Sequence, residues 1–446
     1  MRGHLLFIAV VAISFFQTNA QQNQNELNSL DHLFSSDTPL EDVVDTDTRL
    51  KELLKEDGIK PIQVKLDQSS DIYKLGSALF SDVRLSGNKN TSCMTCHHAF
   101  NGSSDSLPVS VGEGGLGEGY SRTLSGAHII PRHSPQVFNM KYLDPKELFW
   151  DGRVSYNKEK HSYQTPEEGL NGENPKLKYI TDVLNSTLAA QALFPLTSRE
   201  EMLGKKNSNE IAANTSSEDI WNAITQRVLQ VERYKVLFKK AFPKLTDLNQ
   251  VNIGHIANAL AYFQENFFVK LNSPFDKYVA GDSKAMTETE KRGAILFYSK
   301  SRCFICHKGL LQTDGGFKNV GFPQIGPGKD ENRNDYGQFL VTNNPSDKYR
   351  FKTPSLRNLA DTAPYGHSGS MPTIESVVNH YTHPMRANHH YEETEEGLPY
   401  VLKLQTQHMN ERVRNVDPNI TPRGIFISPD DRKDLIQFLK TGLRSI

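Results

Sequence analysis

The sequence predicts a mainly α protein built from two related halves, with few and short strands. Three observations carry that reading. A five-residue word recurs, Cys93-Met94-Thr95-Cys96-His97 and Cys303-Phe304-Ile305-Cys306-His307. One helical pattern precedes each word, Gly76-Ser77-Ala78-Leu79-Phe80 before the first and Gly293-Ala294-Ile295-Leu296-Phe297 before the second. Apolar residues recur at helical spacing, whereas alternating, strand-like runs are sparse.

Each word reads C-x-x-C-H, the pattern of c-type haem attachment. The two thiols form thioethers to the haem vinyl groups, and the adjacent histidine reaches the iron as proximal ligand. The chain has four cysteines, and the two words use them all. Cys93, Cys96 and His97 are therefore expected to hold one haem c, and Cys303, Cys306 and His307 a second. A zinc site drawn from both words is the main competitor, but it leaves the equal offset of the two histidines unexplained. A thioredoxin-like C-x-x-C has no need of the histidine. The fold expectation is thus two cytochrome c-like haem domains, mainly α, with few short strands.

The elements follow in chain order. Residues 1–20 read as a cleaved export signal. Arg2 is the positive start, Leu5 to Phe16 the apolar run, and Thr18-Asn19-Ala20 the small-residue cleavage site. The run falls short of the roughly 20 residues that span a bilayer. Residues 21–71 read as a polar extension, a tail to about residue 60 that orders only by docking. Residues 72–272 form the first haem domain and 273–446 the second. The break lies where Asn272-Ser273-Pro274 interrupts the helical pattern. A long helix covers about Ile253 to Phe268. The second haem word's helix opens with a capping box, Thr287 to Glu290. A last helix starts at Ser428 as N-cap and Pro429 as first residue, with Leu435, Ile436, Phe438 and Leu439 on its apolar face. Gly112, Gly114 and Gly117 spell G-x-G-x-x-G, but no strand leads in and no apolar helix leads out, so a flexible loop near the first haem is expected rather than a dinucleotide site.

The formal net charge is −1 and the pI about 7.0, so no nucleic-acid or membrane-surface partner is implied. No later stretch is apolar enough to span a membrane, so stable insertion is not expected.

Beyond the haem words, five further motifs occur in order: Arg132-His133-Ser134-Pro135, Leu148-Phe149-Trp150-Asp151-Gly152-Arg153, Gln191-Ala192-Leu193-Phe194-Pro195 with Glu201-Met202, Phe351-Lys352-Thr353-Pro354-Ser355-Leu356-Arg357-Asn358, and Thr362-Ala363-Pro364-Tyr365-Gly366-His367-Ser368-Gly369. With them the chain resembles the bacterial di-haem cytochrome c peroxidase and MauG family from about residue 75 to the end. The resemblance implies a periplasmic enzyme whose first haem, on His97, meets hydrogen peroxide, and whose second, on His307, handles electrons. It implies Glu201 as acid–base group, Gln191 as its hydrogen-bonding neighbour and Trp150 as electron bridge between the haems. It places Tyr381, at the end of a helix from Thr373, as sixth ligand of the second haem in the MauG-like manner. Met371, Met385, His380 and His383 stay open as alternatives. A phenolate ligand lowers the iron potential relative to a thioether.

Calcium is a candidate third cofactor. The family's site maps to the carbonyls of Thr362 and Pro364, but its asparagine is His133 here, a poor ligand for a cation that prefers oxygen. His128 lies where some relatives cap the first haem, at a different spacing. The stretches Tyr156–Ala190 and Met385–Ile427, the latter with His389-His390, are long and suit a partner surface or a cover over the haem edge. The implied partners are peroxide and an electron-donor or substrate protein; a homodimer is common in the family, with no interface legible here. Two rival functions remain: a peroxidase fed by small cytochromes or cupredoxins, and a non-enzymatic di-haem electron carrier.

Overall fold

Two helix crossings organise the molecule, and each turns on a glycine. The computed structural model describes residues 45–143, 147–389, 402, 404–420 and 424–445. The expected export signal at residues 1–20 and the His389-His390 pair as a pair lie outside them. The chain divides into Met1–Arg49, described from residue 45, and Leu50–Ile446.

The helices that build the site are, in chain order, α1 (Thr46–Glu56), α2 (Asp71–Phe80), α3 (Thr187–Gln191), α4 (Ile253–Phe267), α5 (Pro274–Val279), α6 (Glu288–Phe297), α7 (Ile374–Thr382), α8 (Pro384–His389), α9 (Met409–Arg414) and α10 (Pro429–Gln437). The strands are short. β1 (Glu147–Leu148), β2 (Val154–Asn157) and β3 (Ser162–Gln164) form an antiparallel ribbon in that order, with Leu148 opposite Val154 and Tyr156 opposite Tyr163. β4 (Phe317–Lys318) pairs antiparallel with β5 (Phe351–Lys352).

Polar caps start the helices where the sequence places them. The Ser70 hydroxyl accepts from Tyr73 N at the head of α2. Thr287 and Glu290 form the reciprocal box of α6, at 2.7 Å and 3.2 Å. Ser428 caps α10 with Pro429 in its first turn. Each such cap is worth about 1 kcal/mol.

α2 crosses α4, and α6 crosses α10. A Cβ on Gly76 would sit 2.0 Å from the Ala259 carbonyl oxygen, and a Cβ on Gly293 would sit 2.1 Å from that of Asp434. The backbones touch, so any side chain is excluded at both points. The repeated G-x-x-L-F pattern is therefore a repeated crossing.

Two apolar cores form around these crossings. One gathers Leu75, Leu79, Phe80, Leu260 and Phe263 with Leu188 and Trp221. The other gathers Phe275, Phe297, Leu435 and Phe438. Leu50, Leu53 and Leu54 of α1 are buried in the second core, so part of the polar extension is a core element. Its sequence, Leu50-Lys51-Glu52-Leu53-Leu54, is an amphipathic turn whose leucines share one face. Asn272 to Pro274 breaks the chain as expected, with Ser273 capping α5 through Asp276.

Candidate functional site

A cavity of about 990 Å³ lies within Leu50–Ile446 and is lined by both C-x-x-C-H words. That is the upper end of the range for ligand pockets, roughly 300–1,000 Å³. The same wall carries Trp150, Gln191, Glu201, Thr362, Pro364 and Tyr381. All the candidate site residues thus border one space.

The two words are held alike. His97 Nδ1 lies 3.1 Å from the Ser103 carbonyl oxygen, and His307 Nδ1 lies 3.0 Å from that of Gln312. A carbonyl can only accept, so Nδ1 carries the proton and Nε2 keeps its lone pair. This is the orientation a metal-ligating histidine needs. Burial holds both imidazoles neutral, pushing their pKa values down. Burial also pushes the Cys93 and Cys303 thiols up to about 12 and Cys306 up to about 11. Cysteines, histidines and cavity fit two haem c groups. Among the described residues no three His, Cys, Asp or Glu side chains converge as a metal site, so the words do not meet on one zinc ion.

Glu201 sits in a wide turn, Arg199–Leu203, whose bonds run from Leu203 N to Ser198 O at 2.9 Å and from Gly204 N to Arg199 O at 3.1 Å. Such i→i+5 turns are rare and concentrate at functional sites. The Ser198 hydroxyl accepts from Glu201 N at 3.3 Å, and Gly204 closes the turn at φ +90°. Burial raises the Glu201 pKa, and the charges of Arg153 and Lys329 draw it partly back. Gln191 ends α3, which Ser186 caps.

The Gly-rich segment is a buttress for this turn. Glu113 N donates to the Glu200 carbonyl at 2.9 Å, and a Cβ on Gly112 would lie 1.8 Å from that oxygen. Close approach, rather than flexibility, is what glycine serves at position 112. His128 stands behind the segment, its carbonyl accepting from Gly112 N at 2.9 Å, and does not line the cavity.

Trp150 is tied at two points. Its indole Nε1 donates to the His133 carbonyl at 2.9 Å, and its own carbonyl accepts from Lys352 N at 2.9 Å. Beneath it Arg132 binds Asp335 with two bonds, 2.7 Å and 2.8 Å, and Asp151 with one, 2.6 Å. All three are buried.

Of the five candidates for the sixth ligand of the second haem, Tyr381 alone lines the cavity. His380 Nε2 is bonded to the Val320 carbonyl at 2.7 Å, and His383 Nδ1 lies 3.1 Å from the Thr382 hydroxyl. Met371 is held in a backbone pair with Tyr365, and Met385 is a surface residue. Burial pushes the Tyr381 phenol up.

The calcium donors do not fit. His133 Nδ1 lies 2.7 Å from the Leu107 carbonyl, and Nε2 lies 3.3 Å from the Ser104 hydroxyl. Both ring nitrogens are taken, and the imidazole offers no oxygen beside the Thr362 and Pro364 carbonyls.

Sequence reasoning missed Lys329 and Arg412, which line the cavity as cations. Neither lies in a motif: Lys329 stands in a loop, and Arg412 on the short helix α9, where one basic residue gives no periodic signal.

A model of the family described as di-haem cytochrome c peroxidase matches residues 70–284. The chain is 31% identical over 307 residues to the methylamine utilization protein MauG of Methylorubrum extorquens, covering 69% of this chain and 67% of that protein. It is 28% identical to the cytochrome c peroxidase Ccp of Escherichia coli, covering 72% of this chain and 55% of that one. Among solved structures, a MauG-like protein associated with microbial copper homeostasis superposes with TM-score 0.59 at 25% identity, over 87% of this chain and 93% of that one. Kinship of this extent, around a cavity that meets a haem word at either side, places the chain in the di-haem cytochrome c peroxidase and MauG family of peroxide-acting oxidoreductases, with two haem c groups.

Proposed function

We propose that this enzyme is a periplasmic, MauG-like peroxidase that reduces hydrogen peroxide beside His97 and takes the electrons from a protein or other large donor at its surface, by way of the His307 side. The observation that carries the proposal is the single cavity that Glu201, Gln191, Trp150 and Tyr381 share with both haem words. Haem iron supplies an open coordination position for peroxide and a store for oxidising equivalents.

The chain's own residues supply the rest. Glu201 takes the proton from one peroxide oxygen and returns it to the other, so that water can leave. Burial suits it to this, because desolvation raises the carboxyl pKa above its ordinary value and so makes Glu201 a better proton acceptor. Gln191, a neutral amide on the same wall, orients the peroxide without competing for the proton. Trp150 carries electrons between the two sides, its indole fixed by the His133 carbonyl. Tyr381, on the same cavity wall as His307, would hold the second haem together with it. The export signal at residues 1–20 supports the periplasm, and the described residues contain no helix long and apolar enough to cross a membrane.

A small-cytochrome donor is the second reading, favoured by the kinship to a cytochrome c peroxidase. The cavity position of Tyr381, where that reading calls for methionine, weighs against it.

The test is Glu201→Gln, followed by stopped-flow absorbance after peroxide is mixed with the holoenzyme. Loss of a proton carrier is expected to slow the reaction about 10²- to 10⁴-fold. A variant that reacts at the wild-type rate removes Glu201 from the chemistry and returns the chain to an electron carrier.

A further inference from the structure

Arg412 is a buried cation short of an anion. It is 2% exposed and sits on α9 within the long stretch between residues 385 and 427. Its Nη2 donates to the Gln405 carbonyl at 3.3 Å. Among the described residues its Nε and Nη1 have no hydrogen-bond partner. The adjacent Glu411 faces the other way, accepting from Tyr349 Oη at 2.9 Å and from Lys348 Nζ at 3.0 Å. A guanidinium keeps its charge in a protein, and a buried charge without a partner is costly. Among the described residues no anion meets it, and the space that Arg412 lines is the haem cavity.

The neighbours of Arg412 say which side of the cavity it serves. Its carbonyl accepts from Asn319 Nδ2 at 2.9 Å. The next two residues of that strip give their carbonyls to α7 and α8, Val320 to His380 Nε2 at 2.7 Å and Gly321 to Asn388 Nδ2 at 2.6 Å. Arg412 and Tyr381 are therefore anchored to one strip of chain from its two flanks, next to the wall of the second haem.

We infer that Arg412 seats a carboxylate of the haem on His307, one of its propionates, through the unpartnered Nε and Nη1. This assigns a task to the long stretch after α7, which delivers a cation to the haem edge from outside the motifs that hold the iron. The inference rests on the two haem groups and not on the peroxide chemistry.

Arg412→Gln and Arg412→Lys in the holoprotein test it, by redox titration of both haems and by the propionate bending band in the resonance Raman spectrum. A cation beside a propionate destabilises oxidised iron. Arg412→Gln is therefore expected to lower the midpoint potential of the haem on His307, leave that of the other haem in place and shift the propionate band. Arg412→Lys is expected to restore most of the potential. If Arg412→Gln fails to mature with both haems, Arg412→Lys decides alone, and a wild-type potential supports the seat. An Arg412→Gln protein with wild-type potential and propionate band overturns the inference, as does an Arg412→Lys protein shifted as far as Arg412→Gln. No peroxide is used, so failure here is separate from failure of the peroxidase reading.

Discussion

At Glu201 one carboxyl is asked to work against its own burial. Desolvation lifts its pKa above the ordinary 4.5, and the Arg153 and Lys329 charges limit the rise. The direction sets the pH dependence. Glu201 accepts a proton only when ionised, so the rate of peroxide reaction should fall as pH drops through the raised pKa, with an inflection above 4.5 that Glu201→Gln abolishes. A pH series of stopped-flow traces on both proteins checks this. Gly112 makes a second residue-scale prediction. Gly112→Ala drives a Cβ into the Glu200 carbonyl, displaces the turn bearing Glu201 and should slow the peroxide reaction about tenfold or more, since small misplacements of a catalytic group are costly. Much of this site was legible in the sequence. The haem words name their ligands, and the spacing from Gln191 to Glu201 follows a known motif. Lys329 and Arg412 were not legible, because their meaning lies in the cavity they face, which no local pattern encodes.

Each half pairs the helix before its haem word with the last helix of that half, and each pair meets at one glycine. Gly76→Ala and Gly293→Ala should each destabilise the fold by about 1–3 kcal/mol, since the contact is with backbone that cannot rotate away. Urea unfolding followed by far-ultraviolet circular dichroism measures it, with an alanine at an exposed helix position as reference. Caps and helical periods were readable here: α4, α6 and α10 start at the residues that the sequence marks. The role of α1 was not, because the polar residues around Leu50, Leu53 and Leu54 mask a three-leucine face that gains meaning only when the second core is assembled. The Gly-rich segment misled for a related reason: close packing and flexibility both select glycine, and sequence does not separate them.

Across the molecule, residues from the two haem segments converge under Trp150. Arg132 stands upstream of Trp150, and Asp335 follows the second haem word, yet they form a buried two-bond pair. Arg132→Ala leaves the buried Asp335 without its bonded cation, while Asp151 keeps Arg153 at 3.1 Å, and should cost about 3–5 kcal/mol. Asp335 and Asp151 are both held below the ordinary carboxylate range of 3.8, mainly by the Arg132 charge acting against burial. Their stabilisation is therefore full above that value and lost as pH falls below it, so acid unfolding should begin at higher pH in Arg132→Ala. In the proposed function the two haems would be unequal, one open to peroxide beside Glu201 and one held by His307 and Tyr381. Electron paramagnetic resonance of the oxidised holoenzyme, before and after one equivalent of peroxide, tests it most directly. One high-spin and one low-spin ferric signal that both diminish with peroxide are expected; two low-spin signals that peroxide leaves unchanged would contradict unequal haems.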